Sequence, residues 1–547
     1  MCRALLKVEK IKKNLFLSYL RKLYFRTVFF DLALSKNVST KIIHQLNDYW
    51  QGDIDNGNKI LMGYFSFFGE TLNYKNSFWE NNSASKIWKE RFHCFDWLKD
   101  LKATSTSQSP LHAREILKKW IKYHNCWSPL EWRSDILGKR ISCLLSNLTF
   151  YFSSADSQFQ KLLIKSICKQ GNFLVRNNLQ DIFGHKRIEG VKGLIALTSS
   201  LETFKKYRHN SMKLLIQEIN NQVLDSGCHY LKSPSKHLEF LINLLDIKNY
   251  LATIKLKIPS EIDYTIKIMS HVIKLFIHPN GTLAKFNNSN YINKKIIDQV
   301  LIRANFRAKK NAQETNSGFH RISSNKLNFV MDCSSPVVED IYAGALSFEL
   351  SVGRQLLVVN CGSPGIKNKI FKNALKSSAA HSTACIDNVN SSNILDNIND
   401  KKRIANVWSK LYRKENSFWI DSAHSGYKNY FGVIHSRRIH IDSVRKILRG
   451  QDCFTKTRSD YSNIPKKYFI RFHLHPKLEI NVTRSKKKAL IKLPDGTGWE
   501  FICSEPRVFV NESIYLGDKQ RILKSNHILI KDSFIPERKI KWMFKQI

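Results

Sequence analysis

The chain is short of several features that would have placed it at once. Its 11 cysteines form no C-x-x-C pair and no regular spacing. They therefore read as free thiols in a reducing compartment. No run of about 18 or more apolar residues occurs, so no membrane-spanning helix is expected. The opening stretch, MCRALLKVEKIKKNLFLSYLRKLYFRTVFF, interrupts each apolar segment with Lys, Arg or Glu. That leaves no hydrophobic core for a cleaved signal, and the stretch reads as a basic amphipathic helix able to touch a membrane surface peripherally. No internal repeat points to a solenoid. Acidic residues are scarce as well: 45 Asp and Glu against 88 Lys and Arg give a net charge of +43. A field of that sign attracts polyanions such as nucleic acid, anionic lipid or acidic polysaccharide. Helix-turn-helix, zinc-knuckle and RNP-type motifs are missing, which argues against sequence-specific nucleic-acid binding. The basic residues are spread along the whole chain, so a drift of composition toward Lys is the alternative source of the excess.

What is present is enough apolar sequence for two packed domains in 547 residues. From about residue 85 to 275 the apolar positions recur at helical spacing. In AREILKKWIKY, Ile116, Leu117, Trp120 and Ile121 share a face, and in KHLEFLINLLDIKNYL so do Leu238, Leu241 and Leu245. After the Asn- and Lys-rich stretch at 287 to 295 the period shortens toward two. ALSFELSVGRQLLVVNCG alternates Leu346, Phe348 and Leu350 with Ser347, Glu349 and Ser351, turns at Val352-Gly353 and resumes as a β-hairpin. Further short strands are expected in GFHRISSNKLNFVMD, YFGVIHSRRIHID, YFIRFHLHP, KKKALIKL, WEFICSE and NHILIKD, which together predict an antiparallel β-sandwich. The polar segment 386–415 reads as a surface loop. The expected organisation is a basic segment over 1–50, an α domain over 51–300 and a β domain over 301–547.

Several segments concentrate chemistry. GHKR sets His185 beside Lys186 and Arg187 at a helix start, where neighbouring cations disfavour its protonation and keep the imidazole able to act as a base. His229 and Tyr230 follow Gly227 in a loop between helices, and His237 opens the next helix. AHSTACID offers His381, and AHSGYKNYFGVIHSRR offers His424, Tyr427, His435 and Arg437 within fourteen residues. In YFIRFHLHP, Ile470, Phe472 and Leu474 point into the sandwich while Arg471, His473 and His475 share the opposite face. Two imidazoles spaced i and i+2 can converge on one zinc if a neighbouring strand supplies a third ligand, for which His435 or Asp332 is available. The alternative is a hydrogen-bonded face.

In joint order, QGDIDNGNKILMGYFSFFG, AREILKKWIKYHNCWSPLEW, LDSGCHYLKSPSKHLEFLINLLDIK, HPNGTLAKFNNS, YAGALSFELSVGRQLLVVNCGSP, AAHSTACID, AHSGYKNYFGVIHSRRIHI and RFHLHP resemble the heparinase II/III-like family of polysaccharide lyases. The resemblance implies an incomplete α/α toroid followed by an antiparallel β-sandwich, a possible structural zinc in the sandwich, and an acidic, uronate-containing glycan as substrate. It also implies β-elimination: a donor neutralises the uronate carboxylate, a base takes the C5 proton, and an acid protonates the leaving oxygen. No cofactor is required for that chemistry. The catalytic candidates are His185, Tyr230, Tyr342, His381 and His435; substrate contacts are expected from Arg187, His229, His237, Tyr427, Arg437 and Arg471; His473 and His475 are the metal candidates. The chain departs from the family pattern at three places. FGHKRIEGVKGL keeps a His and Glu189 but lacks a paired Asn, Lys236 stands where a Tyr is expected, and Tyr342 and Gly344 replace a His and an Asp. Asn360 likewise stands for an Asp. The implied compartment is the cell envelope or periplasm, with the cytoplasm as the alternative. A protein that kept the scaffold for glycan binding or envelope assembly is the alternative to a working lyase.

Overall fold

Helices come first and antiparallel strands second, in the order that the apolar spacing predicts. The computed structural model describes residues 20–36, 41–74, 76–79, 83–305, 317–363, 369–394, 404–457, 463–518 and 521–547. They fall into two units. One holds the described residues up to Asn221 together with Ile242–Asp263, and the other holds Gln222–Leu241 and Tyr264–Ile547. The second unit thus begins well before residue 301, because the loop at 222–233 and the chain from Tyr264 onward pack with the strands.

In the helical unit, Gln108–His124 buries Ile116, Leu117, Trp120 and Ile121, the face expected from their spacing. Ser157–Asn177 is started by Asp156, whose carboxylate accepts the Phe159 N–H at 2.7 Å, and is stopped by Asn178 at φ 46°. Ser134–Ser146 and Arg187–Ser200 meet at glycines. A Cβ on Gly138 would stand 2.4 Å from the Glu189 carbonyl oxygen, and one on Gly193 would stand 2.4 Å from the Gly138 Cα. The two helices therefore touch backbone to backbone. A hairpin, Tyr64–Phe67 with Glu70–Asn73, interrupts the helices and was not expected. The basic segment over 1–50 is not independent where it is described. Lys169 pairs with Asp31, and Arg176 donates to the Ala33 carbonyl at 2.9 Å. Residues 1–19, which carry most of the expected amphipathic helix, lie outside the described residues. Among the described residues no helix is long and apolar enough to cross a membrane.

The sheet unit holds two eight-stranded antiparallel sheets. The first runs Glu479–Val482, Lys488–Lys492, Gly498–Cys503, Ile540–Gln546, Ile447–Lys456, Val433–Asp442, Ser417–His424, Val407–Lys414. The second runs Phe509–Asp518, Arg521–Ser533, Lys467–Leu474, Gln355–Val359, Phe348–Val352, Leu327–Asp332, Phe319–Ser324, with Ala384–Ile386 also paired to Lys467–Leu474. Their inner faces share one core that includes Phe348, Ile470, Phe472, Leu474, Trp542 and Phe544. One local expectation is corrected. The polar segment 386–415 contains the edge strand Val407–Lys414, whose largely exposed residues mask its period. Phe348–Val352 is a central strand buried on both faces, so Ser347, Glu349 and Ser351 of the expected alternation are buried as well.

Candidate functional site

Between the strands Leu327–Asp332 and Phe348–Val352 the chain leaves the sheet for an irregular loop, and the polar cluster of the sheet unit is built around it. Tyr342 in this loop is buried, with its ring edge-on to His381 at 6.2 Å between centroids. Its hydroxyl lies 3.4 Å from Ser363 Oγ, and Ser363 in turn donates to Asn288. Asn288 and Lys376 both reach the Asp340 carboxylate at 2.7 Å. One residue earlier, Glu339 accepts the Tyr230 O–H at 2.5 Å. Asp332 accepts from Asn287 Nδ2 at 2.8 Å. Loops around 230, 288 and 340 are thereby tied together, and Tyr230, Tyr342 and His381 belong to one neighbourhood.

Burial, reinforced by Asp340, raises the Tyr342 phenol far above its ordinary value, so it stays protonated and acts as a donor. Burial acts in the opposite sense on His381, pulling it down to about 4. The neutral ring donates from Nδ1 to the Ser377 carbonyl at 2.8 Å, which leaves Nε2 as a lone pair. Gly344 makes room for this ring: a Cβ there would lie 2.6 Å from His381 Cδ2 and 2.9 Å from Nε2. A phenol donor and an imidazole acceptor, both uncharged at neutral pH, therefore stand side by side.

A second network was not singled out from the sequence. Glu349 accepts the His278 Nε2–H at 2.8 Å and the backbone N–H groups of Lys285 and Asn360 at 3.0 Å each. Burial lowers the Lys285 ammonium to about 8 despite Glu349 nearby. The network ties the 278–290 loop to the central strand. The signal was available in LSFELS, had Glu349 been read as an acid inside a two-sided buried strand.

In the helical unit His185 lies half-buried in the turn Gly184–Lys186 that leads into Arg187–Ser200, as expected. Its cationic neighbours are neutralised, however. Lys186 pairs with Asp135 at 3.5 Å, and Arg187 bonds Glu218 at 2.7 Å and the Leu179 carbonyl at 2.9 Å. Arg187 therefore ties the helix start to Glu218 and to the Leu179 carbonyl. Glu189 would be raised by burial, yet Lys192 and Lys139 hold it at about 2.

Other candidates prove to be interior groups. His237 is fully buried, bonded from Nε2 to the Met269 carbonyl at 2.8 Å and at Nδ1 to the His229 N–H at 3.2 Å. His229 is buried against Gln222 at 3.3 Å. Tyr427 is buried and donates to the Ala384 carbonyl at 3.1 Å. His435 has His424 on Nδ1 at 3.0 Å and Asp452 on Nε2 at 2.7 Å, inside the sandwich. Arg437 is 0% exposed and spans Asp452 at 2.8 and 3.2 Å. All five are buried and bonded within the sheet unit. Clustered histidines in a strand sequence had signalled a buried network.

The face of Lys467–Leu474 is as expected, with Arg471 and His473 opposite the core residues. The zinc reading does not follow from it. His473 donates from Nε2 to the Ala379 carbonyl at 2.9 Å and accepts from Ser513 Oγ at Nδ1 at 2.8 Å, so both nitrogens are committed. Of the two third ligands considered, His435 is engaged by Asp452, and Asp332 accepts from Asn287 and Ser334. Among the described residues no group of three His, Cys, Asp or Glu side chains is placed to hold a metal ion.

Residues 11–313 match the family model described as heparinase II/III N-terminus, and residues 308–543 match heparinase II/III-like, C-terminal. The chain belongs to the heparinase II/III family. Its heparinase fold, a helical toroid followed by an antiparallel β-sandwich, is shared with a crystal structure of heparinase III (TM-score 0.73, 13% identity, 94% of this chain and 86% of that one). Heparan sulfate lyase HepC from Pedobacter heparinus aligns with a TM-score of 0.60 at 14% identity, over 94% and 87% of the two chains. FtsZ-localized protein C of Caulobacter vibrioides is a curated relative, 24% identical over 511 residues, covering 90% of this chain and 88% of its own. On this heparinase scaffold the departures from the family pattern are built into the packing. Lys236 is in an ion pair with Glu239 at 2.7 Å, and Asn360 accepts the Ser382 N–H at 2.8 Å.

Proposed function

We propose that the chain uses a polysaccharide-lyase scaffold to bind an acidic glycan without cleaving it, in a role of cell-envelope assembly. The observation that carries this is the state of the positions where the family resemblance implies catalysis. Lys236 is paired within its helix, Gly344 has no side chain, and Tyr342 is a buried phenol held protonated. An elimination needs a base near the C5 proton, and neither a protonated phenol nor a paired ammonium supplies one. The excess of cationic side chains remains suited to an anionic chain. The name of the Caulobacter relative, FtsZ-localized protein C, states a location and no reaction, which supports a non-catalytic role. The test is to incubate full-length protein with heparin, chondroitin, alginate and bacterial capsule. Expected is salt-sensitive binding of at least one glycan with no rise in the ultraviolet absorbance of unsaturated uronate. Turnover, or no binding to any of them, sinks the proposal.

One arrangement favours a second reading, a lyase with a rearranged catalytic set. His381 is neutral with a lone pair on Nε2, and the Tyr342 donor lies beside it. A base and an acid at that separation are what the elimination requires. Turnover abolished by His381→Ala would establish it.

A further inference from the structure

The loop Ser377–His381 separates the cluster described above from a different opening in the sheet unit. His381 faces Tyr342, while Ser377, Ala379 and Ala380 line a cavity of about 690 Å³ that also takes lining from helix Lys369–Lys376 and from the strands Lys467–Leu474 and Phe509–Asp518. That volume is in the range of small-molecule sites. Its walls differ in chemistry. The helix contributes Phe371 and Leu375, and the two strands contribute His473 and Ser513.

Ser513 Oγ lies 2.8 Å from His473 Nδ1, and His473 Nε2 lies 2.9 Å from the Ala379 carbonyl oxygen. A carbonyl only accepts, so the ring hydrogen sits on Nε2 and Nδ1 turns its lone pair to the serine hydroxyl. Burial, reinforced by His527, keeps the ring well below its ordinary value and therefore neutral. A hydroxyl thus points at a base whose tautomer is fixed by a third group, the arrangement on which nucleophilic catalysis rests. The Ala379 carbonyl stands where a carboxylate orients the histidine of a catalytic triad.

A donor for the charge that develops on an acyl oxygen is at hand. The backbone N–H of Ile514, the residue after the serine, is directed at Cys361 Sγ, which lies 3.8 Å from Ser513 Oγ. Sulfur is a weak acceptor, so this N–H keeps most of its capacity for an oxyanion. Cys361 is the competing nucleophile, with Sγ 3.5 Å from His473 Nδ1. It is 3% exposed, and burial pushes its thiol up to about 12, whereas Ser513 is only half-buried. Nucleophile, base, oxyanion donor and apolar wall therefore meet at one cavity.

We propose that this cavity hydrolyses esters of small acyl groups, with Ser513 as nucleophile, His473 as base and the Ala379 carbonyl holding the ring. Ser513 Oγ bonds to the acyl carbon while its proton passes to His473 Nδ1; the bond from that carbon to the alkoxy oxygen breaks, and the alcohol leaves with the proton. Water then adds to the acyl carbon and gives a proton to Nδ1, the bond to Oγ breaks, and the proton returns to Oγ as the acid departs. Ester and water become acid and alcohol, and nothing else is consumed. The acyl chain rests against Phe371 and Leu375. A ring so hard to protonate is a weak base, so turnover is slow, at or below about 1 s⁻¹. No glycosidic bond is broken, and the activity stands apart from the glycan binding proposed above.

The experiment gives the full-length protein p-nitrophenyl acetate and butyrate, and separately a fluorophosphonate, which bonds to activated serines. Expected are ester turnover above the buffer rate and a phosphonyl group that peptide mass spectrometry maps to Ser513. Ser513→Ala is expected to lose both, and the difference between it and wild type removes the background acylation of lysines. His473→Gln is expected to lower turnover by about 100-fold or more. If either variant does not fold, the position of the label on the wild-type chain decides. The proposal is overturned by no turnover above buffer, by a label on Cys361 or elsewhere with none on Ser513, or by wild-type turnover in a folded Ser513→Ala or His473→Gln.

Discussion

Among the described residues each unit buries one arginine completely, and the two are satisfied in different ways. Arg140, in the helical unit, donates to Gln170 Oε1 at 2.7 Å and to the carbonyls of His93 and Glu131 at 3.0 and 2.8 Å, with Trp120 under it at 4.4 Å. Nothing bonded to it is charged, and burial brings it down to about 9. Arg437, in the sheet unit, forms two bonds to Asp452 and two to the carbonyls of Leu346 and Ser382 at 3.0 Å. Asp452 would be raised by burial, but Arg437 and His435 hold it well below the carboxylate range. The Trp542 indole N–H adds a bond to it at 2.8 Å. Carbonyl dipoles and a π face suffice for one cation, while the other is half of a fixed ion pair. The difference lies in what remains when the arginine is taken away.

Removing Arg437 strands a buried carboxylate. Arg437→Met is expected to destabilise the protein by about 3–5 kcal/mol, the largest effect among these variants, read from the denaturant midpoint. Asp452→Asn turns the sheet-unit site into the helical kind, a cation among neutral acceptors. Its expected loss is smaller, about 2–4 kcal/mol, and a loss equal to or larger than that of Arg437→Met would break the comparison. Arg140→Met leaves no orphaned charge, so about 1–3 kcal/mol is expected in the same measurement. A further effect is pH-dependent. His381 titrates near 4 in the folded chain against 6.5 in the unfolded one, so the unfolded chain takes up its proton first. The contribution of the neutral ring is intact above about 6.5 and is lost as pH falls toward 4, amounting to about 3 kcal/mol. Glu189, at about 2 against 4.5, loses its contribution in the lower window from 4.5 to 2. Midpoints of His381→Asn and wild type measured between pH 7 and 4 should show a shallower slope in the variant.

The order of helices and strands was legible because apolar periodicity survives tertiary packing, as the buried faces of Gln108–His124 and Lys467–Leu474 show. The edge strand Val407–Lys414 was not, since an edge buries too little for its alternation to stand out. Of the site candidates, Tyr342 and His381 stand side by side, and Tyr230 is tied to the same loop through Glu339. His424, Tyr427, His435 and Arg437 were read as functional because they cluster within fourteen residues near turn residues. All four are buried, and clustering in sequence does not tell a groove from an interior. The pair His278–Glu349 was missed because its partners are 71 positions apart and meet only through the fold.

Gly344 constrains how this chain could change over time. Where the family resemblance implies an Asp, the position is now occupied in space by the ring of His381, which any Cβ at 344 would strike. An acidic residue at 344 is therefore not a single mutational step: His381 must first move or be replaced, and His381 is itself anchored through Nδ1 to Ser377. The two positions are coupled, since a side chain at 344 and the imidazole at 381 claim the same space.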